Sequence, residues 1–119
     1  THLVADRAFL RDHPELIRDL LAGLIEVTQE INRDKKAAAR ILNAELKRET
    51  GKALPEAVVK RALQRIEFTW DPVSASLRKC SEAAHRVGFL RSEPQLAGIY
   101  SLDALNDVLR TKGLPPVPD

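Results

Sequence analysis

The sequence predicts a mainly α-helical chain with about five to six helices and at most two short strands. Apolar residues recur at steps of three and four along most of the 119 residues, which is typical of amphipathic helices. Pro, Asp and Ser recur where helices would begin, and Gly where they would end. Aromatic residues make up only 4%, so we expect a core of aliphatic side chains.

The first two predicted helices follow from Asp6 and Pro14. Asp6 is a favourable N-cap for a short helix from Arg7 to Asp12, in which Phe9 and Leu10 would face inward. Pro14 suits the first position of a longer helix that ends near Arg33. The apolar stripe of that helix comprises Leu16, Ile17, Leu20, Leu21, Leu24, Ile25, Thr28 and Ile31.

The next two predicted helices are separated by a glycine. Asp34 is a favourable N-cap for the third helix, and Gly51 is a typical C-terminal stop. Pro55 then lies in the first turn of a fourth helix. The apolar stripe of the fourth helix comprises Val58, Val59, Ala62, Leu63 and Ile66.

The remaining elements are two short extended segments and two helices. Residues 2–5 could form a strand, and residues 66–70 break the helical pattern and indicate a second extended segment. Pro72 is expected to open the fifth helix, which Gly88 would end. Ser101 is expected to cap the last helix, which stops before a proline-rich tail.

Bulk composition predicts one domain, residues 1–119, and gives little evidence for nucleic acid as a partner. The net charge is +2, from 19 basic and 17 acidic residues, and no apolar run approaches the length of a membrane span. Cys80 is the only cysteine, which excludes an internal disulfide. The chain opens on Thr1 with no signal peptide, so we expect it to be the C-terminal segment of a larger protein.

No residue pattern in the sequence is typical of an enzyme, a metal site or a cofactor site. His2, His13 and His85 are the only histidines, and none has a cysteine or second histidine at ligand spacing. There is no Gly-x-Ser-x-Gly motif, and Cys80 falls on an apolar stripe, where a buried and inert thiol is expected. We therefore predict no catalytic residues, no metal and no cofactor.

Basic residues on the third and fourth helices raise the alternative of a free-standing DNA-binding or adaptor module. Two helices joined by a short turn have the outline of a helix-turn-helix. The basic residues are Lys35, Lys36, Arg40, Lys47, Arg48 and Lys52, followed by Lys60, Arg61 and Arg65. Glutamates are interleaved with them, and such mixed charge is more typical of a solvated surface.

An ordered set of short segments resembles the solute-binding proteins of ABC importers for aliphatic sulfonates, taurine and nitrate. The resemblance covers nearly the whole chain and depends on the order and spacing of the segments. They are AFLRDHPE (8–15), INRD (31–34), LNAEL (42–46), TGKALP (50–55), FTWDP (68–72), GFL (88–90), GIY (98–100) and LN (105–106).

The resemblance implies the helical C-terminal portion of a periplasmic-binding-protein-like type II α/β fold. Members have two α/β lobes that close on a ligand between them, and this chain is similar to their last third. The implied function is capture of a small oxyanion, such as an aliphatic sulfonate, in the periplasm for delivery to a membrane permease complex. A few sulfur-removing hydrolases resemble the same fold, but the chain carries none of their reactive residues.

The residues with the best local case for ligand contact are Thr69 and Trp70. They precede the helix that Pro72 is expected to open, and a helix N-terminus favours anions through its unpaired N–H groups and dipole. The alternative is that Trp70 packs under that helix. We also expect the isolated chain to self-associate, as a homodimer or by exchange of an element, because apolar faces that pack on a missing sheet would be uncovered.

Overall fold

The computed structural model describes residues 2–118, and 63% of these residues are helical. The described residues contain no strand, so the prediction of a mainly α chain with at most two short strands is confirmed. The helices are α1 (Arg7–Asp12), α2 (Pro14–Arg33), α3 (Lys35–Thr50), α4 (Glu56–Arg65), α5 (Ser74–Arg86) and α6 (Asp103–Thr111). None of these helices combines the length and apolar character needed to cross a bilayer.

The chain divides into two compact units. One unit comprises Thr1–Leu21 with Asp71–Asp119, and the other comprises Ala22–Trp70. Helix α2 begins in the first unit and ends in the second. Each unit has buried apolar residues of its own.

The hydrophobic centre of the first unit is built on α6. Leu105, Val108 and Leu109 form the buried side of this helix, and Leu109 has no exposed surface. Ile17, Leu102 and Val117 are the other buried apolar residues of the unit. The N-cap of α6 is Leu102, without a side-chain hydrogen bond, so the prediction that Ser101 caps this helix was wrong by one residue.

Helix α1 is capped as predicted but is not packed as predicted. The Asp6 carboxylate accepts hydrogen bonds from the backbone N–H groups of Ala8 (2.7 Å) and Phe9 (3.3 Å). No residue of α1 is buried, and the Phe9 ring lies 4.7 Å from the His13 ring on the exposed side. The inward orientation predicted for Phe9 was therefore wrong, because a six-residue helix offers too little surface to bury both apolar residues.

Helix α5 begins later than predicted and buries none of its residues. It starts at Ser74, with Val73 as the N-cap, so Pro72 precedes the helix and does not open it. Gly88 ends it with a positive φ of 81°, and the N–H groups of Gly88 and Phe89 donate to the carbonyls of His85 and Ala84. Cys80 is exposed, which contradicts the predicted burial of its thiol.

The second unit contains the pair of helices α3 and α4. Asp34 caps α3 as predicted, accepting from the N–H groups of Lys36 (3.0 Å) and Ala37 (2.9 Å). These bonds, that to Ala37 first, hold the pKa of the Asp34 carboxyl below its usual value. Val59 and Leu63, two residues of the stripe predicted for α4, are buried, whereas α3 buries no residue.

In each unit, the side chain of an asparagine in one helix hydrogen-bonds to the backbone that follows that helix. The Asn43 side chain both donates to the Leu54 carbonyl and accepts from the Leu54 N–H, each at 2.8 Å. The Asn106 side chain makes the same pair of bonds to Val117, at 3.0 and 2.8 Å. In both cases the partner lies eleven residues ahead and precedes a proline. The two bonds fix the chain that follows each helix against that helix.

Candidate functional site

The predicted ligand residues Thr69 and Trp70 lie at the end of the second unit. Thr69 is exposed and Trp70 is half-buried, in an extended segment that follows α4. The Asn32 side chain donates to the Phe68 carbonyl at 2.8 Å and so holds this segment beside the end of α2. Helix α5 belongs to the first unit, so a ligand contact shared by Trp70 and the start of α5 stays a prediction.

The start of α5 has an unusual backbone for the residue that occupies it. Val73 has φ 53° and ψ 57°, a left-handed conformation that is unfavourable for a β-branched side chain. The Asp71 carboxylate accepts from the Val73 N–H at 2.7 Å and stabilises this turn. The late start of α5 follows from this turn, because a residue with positive φ cannot lie inside a right-handed helix.

A polar cluster of the first unit contacts the turn before α5 at the Pro72 carbonyl. The His2 Nε2 atom lies 2.9 Å from the Pro72 carbonyl oxygen and 3.3 Å from the Tyr100 hydroxyl. A carbonyl oxygen can only accept, so a hydrogen bond to Pro72 requires Nε2 to be the donor. Sequence reasoning missed this cluster because His2 and Tyr100 are 98 residues apart. No local pattern signals such a pairing.

The groove of the first unit is unsuited to an anion. It has a volume of about 200 Å³ and lies between the start of α2 and α6. Its polar rim contains the carboxylates of Asp103 and Asp107 and a single cation, Arg18. Arg18 already contacts Glu15 at 2.6 Å. The carboxylates would repel a sulfonate, and the one cation is engaged.

Helix α4 presents a cationic face to solvent. Lys60, Arg61 and Arg65 are exposed, and no described carboxylate lies within ion-pair distance of them. Arg61 and Arg65 project from the side opposite Val59 and Leu63, because two residues correspond to about 200° of helical rotation. These three residues, called the α4 cationic face below, are available to an anionic partner.

The basic residues of α3 are less available than the sequence suggested. Arg48 contacts Glu45 at 2.7 Å and Glu49 at 2.9 Å. The Lys35 ammonium donates to the carbonyls of Leu63 (3.4 Å) and Ile66 (3.3 Å) and so caps the end of α4. Lys35 therefore has a structural role that helical spacing did not indicate.

Clusters of metal-binding type are not found in the described part of the chain, residues 2–118. His2, His13 and Cys80 each lie apart from any group of three His, Cys, Asp or Glu side chains that could hold an ion. A comparison with protein-family models, curated proteins and solved structures finds no match to the chain.

Proposed function

We propose that the chain is the helical C-terminal part of the solute-binding component of an ABC importer. In this proposal it completes one lobe of a two-lobed periplasmic protein that captures a small oxyanion, most readily an aliphatic sulfonate. The ligand class comes from the sequence resemblance. The membership in a larger lobe is supported independently by how little apolar surface the helices bury.

The uncovered surface is the observation that carries the proposal. Among the described residues, 17 large apolar side chains are exposed, whereas nine apolar residues are buried. Helices that pack on a further layer of structure would leave apolar side chains uncovered in this way.

The positions of the uncovered apolar residues agree with that interpretation. Helices α3 and α5 bury no residue, although both are amphipathic. Ile41 is 66% exposed on α3, and Phe89 is 85% exposed in the hydrogen-bonded turn after α5. A rigid turn that holds a phenylalanine in water is unfavourable unless another surface covers the ring.

The experiment that tests the proposal is a ligand titration of the gene product that contains this chain. We expect the reading frame to encode an additional α/β lobe upstream. We also expect calorimetry to show that its product binds an alkanesulfonate, taurine or nitrate with a dissociation constant in the micromolar range. Trp70→Ala should weaken binding by at least about tenfold if the indole contacts the ligand. A start codon immediately before Thr1, or no binding of any of the three anions, would contradict the proposal.

The isolated chain gives the complementary prediction. We expect calorimetric titration of the 119-residue chain with alkanesulfonates and taurine to show no binding in the micromolar range. A two-lobed site draws its contacts from both walls, and one wall leaves the ligand largely hydrated. Micromolar binding by the isolated chain would show that the ligand site lies within these residues alone.

DNA binding is the second candidate, and the α4 cationic face is the observation that favours it. If α4 entered a groove, log affinity would fall by about 0.9 per log unit of salt for each phosphate contact. We expect instead no salt-sensitive duplex binding, because net charge is only +2. A mobility-shift assay at low salt on the unmodified chain tests this expectation.

The matched variants make that assay specific. A discrete band abolished by Lys60→Ala, Arg61→Ala and Arg65→Ala together would overturn the transport proposal. The control is Arg78→Ala, Lys79→Ala and Arg86→Ala on α5, which removes the same charge from exposed positions of the first unit. Loss of the band in both triple variants would indicate nonspecific attraction to a polyanion.

A further inference from the structure

Four arginines, on α2, α3 and α6, pair with a carboxylate three residues earlier in the same helix. The pairs, with N···O distances of 2.5–2.7 Å, are Arg18–Glu15, Arg33–Glu30, Arg48–Glu45 and Arg110–Asp107. On α4 the equivalent positions before Arg61 and Arg65 are occupied by Val58 and Ala62. Arg61 and Arg65, called the arginine pair below, therefore lack the carboxylate that the other four arginines have.

The arginine pair is unfavourable for α4 on its own. Arg61 and Arg65 are four residues apart, so they are neighbours on the helix surface, and like charges at this spacing destabilise a helix. Both are exposed, and no carboxylate within residues 2–118 lies at ion-pair distance from them. A carboxylate supplied from outside the chain would relieve this repulsion.

The charge of the second unit adds to the repulsion. Residues 22–70 include ten basic and seven acidic residues, which gives a net charge of +3. The rest of the chain includes nine basic and ten acidic residues, which gives −1. The excess positive charge of the chain is therefore concentrated in the unit that contains the arginine pair.

The helix surface beside the arginine pair is apolar. Val58 is 41% exposed, and Ala62 is also exposed. At about 100° per residue, Val58 and Ala62 lie with the arginine pair on an arc of roughly 100° of α4. Their short side chains allow another helix to approach closely. Arginine beside small apolar residues is typical of protein interfaces, where arginine is enriched and lysine is depleted.

We propose that the arginine pair docks an acidic helix of a partner protein. Two Asp or Glu residues four positions apart on the partner would present their carboxylates at the same spacing as the two guanidinium groups. Each guanidinium can hold one carboxylate through two parallel hydrogen bonds. Small side chains of the partner helix would lie against Val58 and Ala62. The inference goes beyond the proposed function, which concerns a solute, and does not rest on it.

An acidic helix fits this surface better than a DNA duplex or a bilayer. A recognition helix contacts bases through its N-terminal residues, and the first turn of α4 carries Glu56, which the phosphates would repel. An interfacial helix needs bulky apolar side chains beside its cations. Val58 and Ala62 are small, so a bilayer would gain little apolar burial from them.

Titration of the 119-residue chain with a synthetic helical peptide tests the proposal. The probe is a fluorescein-labelled, alanine-rich peptide with two glutamates four residues apart, and its counterpart carries glutamines at those positions. We expect fluorescence anisotropy at low salt to show about tenfold tighter binding of the glutamate peptide, because two exposed ion pairs contribute modestly. Equal binding of the two peptides would overturn the proposal, and this comparison needs no variant of the chain.

Charge exchange makes the test specific. Arg61→Glu combined with Arg65→Glu should abolish the preference for the glutamate peptide and create a preference of about tenfold for a lysine counterpart. The control is Arg78→Glu with Arg86→Glu on α5, where both arginines are exposed and also lack a carboxylate three residues earlier. The control should keep the original preference, and circular dichroism should show unchanged helicity in both variants. Loss of the preference in both would indicate attraction to net charge alone and overturn the proposal.

Competition separates the acidic helix from the other two occupants. Unlabelled glutamate peptide, phosphatidylglycerol vesicles and a short DNA duplex are added to the labelled complex at equal concentrations of negative charge. We expect the peptide to displace the label most effectively. More effective displacement by the vesicles or by the duplex would assign the arginine pair to a lipid surface or to nucleic acid, and would overturn the proposal.

Discussion

Leu109→Ala is expected to destabilise the first unit by about 2–5 kcal/mol. Leu109 has no exposed surface and lies among the buried residues of α6. Truncation removes apolar burial and leaves a cavity that the short helix cannot fill by moving. Because a domain of this size is stable by only about 5–15 kcal/mol, the loss is a large fraction of the total. Urea denaturation followed by circular dichroism measures it.

Leu3→Ala is the matched control for this core substitution. It removes the same atoms within the same unit, but Leu3 is mostly exposed. We expect the free energy of unfolding of Leu3→Ala to change by no more than about 0.5 kcal/mol, as for other surface substitutions. A loss below about 1 kcal/mol in Leu109→Ala would mean that α6 is not the hydrophobic centre of the unit.

Asn106→Ala is expected to lower the free energy of unfolding by about 2–4 kcal/mol. Its side chain makes both backbone hydrogen bonds of Val117, and Val117 is buried. Removing the amide leaves a donor and an acceptor without partners and releases the tail that covers α6. Thermal unfolding monitored by circular dichroism should show the loss, and limited proteolysis should show earlier cleavage near Val117.

Two variants separate the hydrogen-bonding role of Asn106 from simple loss of volume. Asn106→Asp should retain the bond from the Val117 N–H but lose the bond to its carbonyl, giving an intermediate stability. Asn43→Ala removes the equivalent pair in the second unit, where the bonds are exposed to water. We expect Asn43→Ala to lower the free energy of unfolding by about 1 kcal/mol or less. Equal losses at both positions would contradict the role assigned to burial.

Local signals in the sequence located most helix boundaries. Asp6 and Asp34 cap the helices predicted for them, Pro14 opens α2, and Gly51 ends α3. Each of these features acts within four residues of the chain, through one side-chain oxygen or one backbone angle. The start of α5 was missed because its position depends on the left-handed Val73, and valine carries no local signal for that conformation.

Burial was predicted far less well than helicity. Cys80 was expected to be buried on an apolar stripe of α5, yet neither α3 nor α5 has a buried residue. On α2 the apolar positions divide between a buried side, which includes Ile25, and an exposed side, which includes Leu16 and Leu20. Periodicity shows that a helix is amphipathic, but it does not show which part of a wide apolar arc is covered.

The mainly helical fold and most helix ends could be predicted from the sequence, because capping, proline geometry and apolar periodicity are local effects. It also supplied the resemblance from which the oxyanion proposal comes. The folded chain was needed to show that Asn43 and Asn106 bond to the backbone eleven residues ahead, that Lys35 caps α4, and that His2 contacts Tyr100. These contacts join residues 11 to 98 positions apart, and such pairings arise only when packing brings distant segments together.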